Sequence, residues 1–142
     1  MTEIELSEDV LAEQVMELFA SAWWTASRTL PDVARALDGS QIVLGLRHRP
    51  TDRLVGFTRV VTDSVYLAVV LDVIVAPDWR GHGLGARLMD AVVTHPLLAR
   101  VGSVELVCQP ELVAFYRRWG FTDQVGRSLL MRRTSDPLLT GA

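Results

Sequence analysis

Apolar residues near the start of the chain recur at helical spacing: Leu11, Val15, Leu18 and Ala22 fall on one face of a 3.6-residue turn. Ser7 followed by Glu8 and Asp9 reads as the start of that helix, with acids at its positive end. Pro31, a favoured first-turn residue, predicts a second short helix running to Asp38 and Gly39. The pattern then turns strand-like over residues 42–46 and 54–61, with a polar link at 47–52 that reads as a hairpin loop. Residues 66–75 are rich in β-branched side chains and predict a central strand. Leu84, Leu88, Ala91 and Val92 restore the helical period until Pro96 stops it. A short strand follows at 103–108, and a helix at 111–119 is closed by Gly120. Residues 121–125 and 129–133 read as a last pair of strands, and the tail after Thr134 as loose. A strand–helix–strand passage of this length implies parallel strands joined by a right-handed crossover. The fold class is therefore α/β or α+β: a single mixed, mostly antiparallel sheet with one parallel β-α-β unit. No repeat or linker interrupts it, so residues 1–142 read as a single domain.

Composition narrows the classes. A chain of 142 residues, 49% hydrophobic and 22% charged, can bury about two-thirds of its surface and needs no staples. One cysteine, Cys108, excludes an internal disulfide, and His48, His82 and His95 lack metal-ligand spacing, so no metal is expected. A net charge of −3 argues against a nucleic-acid-coating surface. The longest apolar stretch, 65–77, is broken by Asp72 and falls short of a membrane span. Glu3, Glu5, Glu8 and Asp9 stand where a signal peptide would be basic, which points to a cytoplasmic chain without membrane partners.

The most informative stretch runs from Val73 to Ala86. A β-branched strand ends, Pro77 stops it, and Gly81, Gly83 and Gly85 open a helix. The first turn of a helix offers unpaired N–H groups at the positive end of the dipole, which suits a phosphate. Glycine removes the Cβ atoms that would hold that phosphate off and permits positive φ. Gly81, Gly83 and Ala86 also satisfy the dinucleotide pattern G-x-G-x-x-G/A. Against a dinucleotide site, five residues separate Val75 from Gly81, no acid stands at a strand end about 20 positions on, and only one β-α-β unit is visible.

Arg80-Gly81-His82-Gly83-Leu84-Gly85 fits the acetyl-CoA signature Q/R-x-x-G-x-G/A, preceded by Val75-x-Pro77. Phe115-Tyr116-Arg117-Arg118-Trp119-Gly120-Phe121 matches an F-Y-x-x-x-G-F motif, and Leu54-Val55-Gly56-Phe57 an L-V-G-F strand. With these three motifs in order, the chain resembles the GNAT N-acetyltransferase superfamily over residues 4–133. The resemblance implies a GNAT-like sheet with helices on both faces and acetyl-CoA as co-substrate. It implies pyrophosphate binding by backbone amides of Gly81, Gly83, Gly85 and Ala86, with Arg80 at the edge of the turn. The main chain of Val73 and Val75 would pair with the pantetheine arm, where the central strand splays from the strand at 103–108. Gln109 stands where many members carry a cofactor-contacting asparagine.

The implied chemistry is transfer of an acetyl group to a primary amine of a small molecule or peptide by direct attack. Tyr116 matches the family's general acid, a phenol with an ordinary pKa near 10. Histone-acetylating members carry a glutamate where this chain has Val69. Asp72 is the only carboxylate in that strand; it either serves the amine, directly or through a water, or pairs with an arginine such as Arg59. The acceptor wall would include the segment holding Trp23, Trp24 and Arg28, either with one tryptophan in the core and the other facing a cleft or with both rings packed. Cys108 has no basic neighbour in sequence and reads as a small core residue. A non-catalytic module that binds acyl-CoA is the alternative, and a homodimer is left open.

Overall fold

The computed structural model describes residues 3–140. The chain divides into two compact units, Met1–Val107 and Cys108–Ala142. The first unit holds one five-stranded sheet with strand order β1-β2-β3-β4-β5. Its strands are β1 (Ile4–Ser7), β2 (Ile42–His48), β3 (Arg53–Thr62), β4 (Leu67–Val75) and β5 (Ser103–Glu105). Its helices are α1 (Ala12–Phe19), α2 (Leu30–Asp38) and α3 (Leu84–Val93). The first four strands pair antiparallel, and β4 pairs parallel with β5 after the α3 crossover. This is the mixed sheet the alternation predicts.

Leu54, Val55, Gly56, Phe57 and Thr58 of β3 are all buried, so both faces of the sheet are covered. α1 and α3 both pack against β3. Phe19 of α1 meets Phe57 edge to face, with ring centroids 5.7 Å apart. Leu84, Leu88, Met89 and Val92 give α3 its buried side. α2 starts as its sequence demands: Pro31 sits in the first turn and the Thr29 hydroxyl accepts from the Asp32 amide.

Four expectations need correction. Ser7 does not start a helix; it ends β1, and its hydroxyl accepts from the Asp9 amide in a local turn. The first helix begins only at Ala12, and the short strand before it pairs with β2, Ile4 against His48. The strand expected at 103–108 stops at Glu105. The last pair of strands, at 121–125 and 129–133, does not form: these residues make no ladder among the described residues, and Leu129 and Met131 are 87% and 89% exposed. A strand-like segment becomes a strand only where a neighbour accepts its backbone bonds. In this second unit the regular helix is α4 (Val113–Arg117), shorter than the expected 111–119 because Pro110–Leu112 forms a separate tight turn. Gly120 follows α4 with φ +86°, as the closing glycine should.

Candidate functional site

The turn before α3 is built by its backbone. Gly83 caps the helix at φ +76°, and Gly81 lies at φ +81°. A Cβ at either position would meet nothing within 4 Å, so the surface over the turn is open, and the glycines are required by conformation. The amide of Arg87 bonds back to the Gly83 carbonyl, and those of Leu84, Gly85 and Ala86, the first-turn donors, have no acceptor among the described residues. α3 spans ten residues, enough for its dipole to add to them. Arg80, at the edge of the turn, is exposed.

β4 carries the second feature. Its pairing with β5 covers only Leu67, Ala68 and Val69. From Val70 to Val75, the β5 side of β4 has no ladder partner among the described residues. An extended ligand can add itself to such an edge. On the β3 side the register slips: Phe57 faces Ile74 but Arg59 faces Leu71, so Asp72 and Val73 stand against Thr58 alone. Asp72 takes φ +56° in this bulge, a conformation that aspartate tolerates better than most residues.

The bulge turns Asp72 into a cluster of charges. Its side chain is 5% exposed, and Oδ2 accepts 2.7 Å bonds from both Arg28 Nη1 and Arg59 Nε. Arg59 Nη1 also lies 3.4 Å from Ser40 Oγ. Arg28 Cζ stands 4.9 Å from the centre of the Phe19 ring, a cation–π contact. The three charged residues line a cavity of about 320 Å³, together with Phe19, Asp32, Val33, Ala36, Leu37 and Phe57. Of the two roles the sequence allows Asp72, the arginine pair is realised, and with two arginines.

The structure thus brings Arg28 and Asp72 together, but not the tryptophans. Trp23 and Trp24 lie in turns, 63% and 38% exposed, and neither packs in the core or lines the cavity. The buried place in this segment goes to Thr25, whose hydroxyl donates to the carbonyls of Phe19 and, more weakly, Ala22. Asp32, Val33 and Leu37 went unnoticed in the sequence as lining residues. The helical period of α2 could have found its inner face, since Val33 and Leu37 are four apart.

The second unit carries Gln109 and Tyr116. Gln109 precedes the Pro110–Leu112 turn and is exposed. Tyr116 is buried in α4, in edge-to-face contact with Phe115 and Phe121. Burial, and secondarily Cys108, push its phenol up to about 12, so the expectation of an ordinary value near 10 is corrected. Burial, then Asp123 and Glu111, raise the half-buried Cys108 thiol, which disfavours a reactive thiolate. Among the described residues, no three His, Cys, Asp or Glu side chains gather as metal ligands would, and no helix is long and apolar enough to cross a membrane.

Known proteins share this architecture. The family model of the acetyltransferase (GNAT) domain matches residues 12–131. A GNAT-family protein from Xanthomonas campestris pv. campestris superposes with a TM-score of 0.81 at 30% identity, covering 96% of this chain and 97% of that one. A GNAT-family acetyltransferase from Streptococcus pneumoniae TIGR4 gives a TM-score of 0.69 at 26% identity, over 92% and 98% of the two chains. The uncharacterized N-acetyltransferase ycf52 of Porphyra purpurea is 33% identical over 110 residues, which is 76% of this chain and 63% of the relative. Serotonin N-acetyltransferase 2, chloroplastic, of Oryza sativa subsp. japonica is 37% identical over 89 residues, 61% of this chain and 44% of that protein. The chain thus spans less than two-thirds of the length of these curated relatives. The match to the domain model over most of the chain and the superposition decide the family: the chain belongs to the GNAT acetyltransferases.

Proposed function

We propose that the chain is an N-acetyltransferase that moves the acetyl group of acetyl-CoA to a primary amine by direct attack. The observation that carries this reading is the open, glycine-capped start of α3, with the amides of Leu84, Gly85 and Ala86 free. Those amides and the Gly81 and Gly83 backbone would hold the pyrophosphate, with Arg80 beside it. The unladdered main chain of Val73 and Val75 would take the pantetheine amides. Acetyl-CoA supplies the activated acyl group. The neutral amine forms a bond to the carbonyl carbon while the carbon–sulfur bond breaks. The amine's surplus proton leaves to solvent, and the departing sulfur takes one from a donor.

Tyr116 is our candidate for that donor. A phenol raised to about 12 stays protonated throughout the neutral range. It is also a weaker acid than an ordinary phenol, so giving its proton to sulfur costs more than it would from a phenol near 10. Asp72, bonded through Oδ2 to Arg28 and Arg59, is better suited to positioning those arginines than to taking a proton. The acceptor is a small-molecule or peptide amine; Val69, in place of the glutamate of histone-acetylating members, favours neither.

Thiol release from acetyl-CoA across a panel of amines and peptide N-termini tests the reading. Amine-dependent release supports it. Tight CoA binding without release on any amine would replace it with the non-catalytic acyl-CoA module. Stabilisation by NAD(P) and not by CoA would refute both.

A further inference from the structure

The cavity under α1 and α2 holds a guanidinium that its own fold leaves half used. Arg28 spends Nη1 on Asp72 and lays its plane near the Phe19 ring. Its Nε and Nη2, which form the side-on edge of the guanidinium, have no acceptor among the described residues, and its side chain is 34% exposed at the cavity. Two parallel N–H donors held at fixed spacing match the two oxygens of a carboxylate. Charge points the same way. Arg28 and Arg59 carry two positive charges against the single negative charge of Asp72, so the inner end of the cavity is net positive. The other acid of the cavity, Asp32, is exposed in the first turn of α2. An acceptor whose only charge is an ammonium would meet a repulsive inner end. One that also carries an anion would complete it.

Position adds a third argument. Asp72 is followed in the chain by Val73, whose backbone belongs to the unladdered edge of β4. A carboxylate held by Arg28 in the cavity lined by Asp72 is therefore anchored next to the strand assigned to the acyl arm. The walls of Phe19, Val33, Ala36, Leu37 and Phe57 leave room for an apolar side chain, and about 320 Å³ suits a molecule of amino-acid size.

We propose that the acceptor is a small amino acid-type amine, whose carboxylate binds the free Nε–Nη2 edge of Arg28. This rests on the acetyltransferase reading and names its substrate class. The chemistry is that of the overall reaction: the amine nitrogen gains the acetyl group and loses a proton, thiol is released, and the carboxylate is unchanged.

The test compares three forms of each acceptor. Initial rates with acetyl-CoA are measured for the standard α-amino acids, β-alanine and γ-aminobutyrate, each beside its carboxamide and its decarboxylated amine. The expected result is that at least one free acid exceeds both its neutral counterparts by about tenfold or more in kcat/KM, mostly through KM. In Arg28→Gln this preference should collapse towards unity. Arg28→Lys keeps a charge for Asp72 but lacks the second edge, and should keep only part of the preference; it carries the test if the glutamine variant does not fold. Amides or bare amines used as well as the acids by the wild type overturn the carboxylate assignment and leave the acetyltransferase reading standing. A preference that survives in both variants removes Arg28 from the recognition and overturns the proposal. No turnover of any compound in this panel overturns the proposal, while the acetyltransferase reading falls only if peptide N-termini and other amines also release no thiol.

Discussion

Replacing Asp72 by asparagine probes the charge cluster without disturbing the bulge, because asparagine tolerates the left-handed φ of +56° almost as aspartate does. The bond to Arg59 joins side chains that are 16% and 5% exposed. Losing a charge-assisted bond in such surroundings costs about 1.5–3 kcal/mol. The bond to Arg28 is a third open to water and adds only about 0.5–1 kcal/mol. The asparagine oxygen can still accept from one guanidinium, which brings the expected loss to about 2 kcal/mol. For a domain of this size that lowers Tm by about 8 °C. Asp72→Ala should lose at least about 1 kcal/mol more, since alanine bears the left-handed strain without compensation. Urea denaturation of wild type, Asp72→Asn, Arg59→Gln and the double variant gives the coupling directly. We expect at least about 1 kcal/mol between the two positions. A loss under about 0.5 kcal/mol in Asp72→Asn, or additivity in the double variant, would show that the cluster is solvated and refute this account.

Further expectations concern the cofactor turn and the phenol. Acetyl-CoA at a hundred times its Kd should stabilise the protein by about 2.7 kcal/mol, read as a rise in Tm; no shift at millimolar ligand contradicts the site. Gly83→Val should lose that shift, because valine cannot hold φ +76° and its side chain enters the space above the turn; wild-type CoA affinity in a folded variant would make the turn merely structural. Tyr116→Phe should leave acetyl-CoA affinity intact and lower kcat by ~10²-fold at neutral pH, and undiminished turnover would assign the proton to water. In Tyr66→Phe the one remaining tyrosine should ionise near 12 by phenolate absorbance, and a midpoint near 10 would mean that Tyr116 is solvated. The sign for stability follows: the unfolded phenol loses its proton first, so this contribution is intact below pH 10 and declines as pH rises towards 12.

What the sequence disclosed was local. Pro31 and the glycines at 81 and 83 act through their own backbone, so α2 and the start of α3 could be read from the residues that make them. β1 was hidden because Ile4 and Leu6 alternate only once among acids, and its partner β2 lies some forty residues on. Residues 121–125 and 129–133 read as a pair of strands but find no ladder among the described residues, since pairing belongs to two segments at once. The cluster at Asp72 was legible only in part, for a similar reason: Arg59, named from the sequence as a partner, reaches it from 13 residues away, and Arg28, not named as one, from 44. A pairing with Arg59 could be suspected across a hairpin, whereas the contact with Arg28 exists only after α1 and α2 have packed.

The strand order has a kinetic corollary. β2, β3 and β4 are joined by short links and pair with their nearest neighbours in sequence, so this meander closes small loops and should form early. β1 must wait for α1 and α2, and β5 for the α3 crossover. The three-residue ladder between β4 and β5 should then be late to form and early to part when the sheet opens locally. Amide exchange should accordingly be slowest in β3 and fastest along β5. The edge assigned to the acyl arm can thus breathe at little cost to the rest of the sheet, and a ligand laid along it would slow exchange on the β4 amides it bonds.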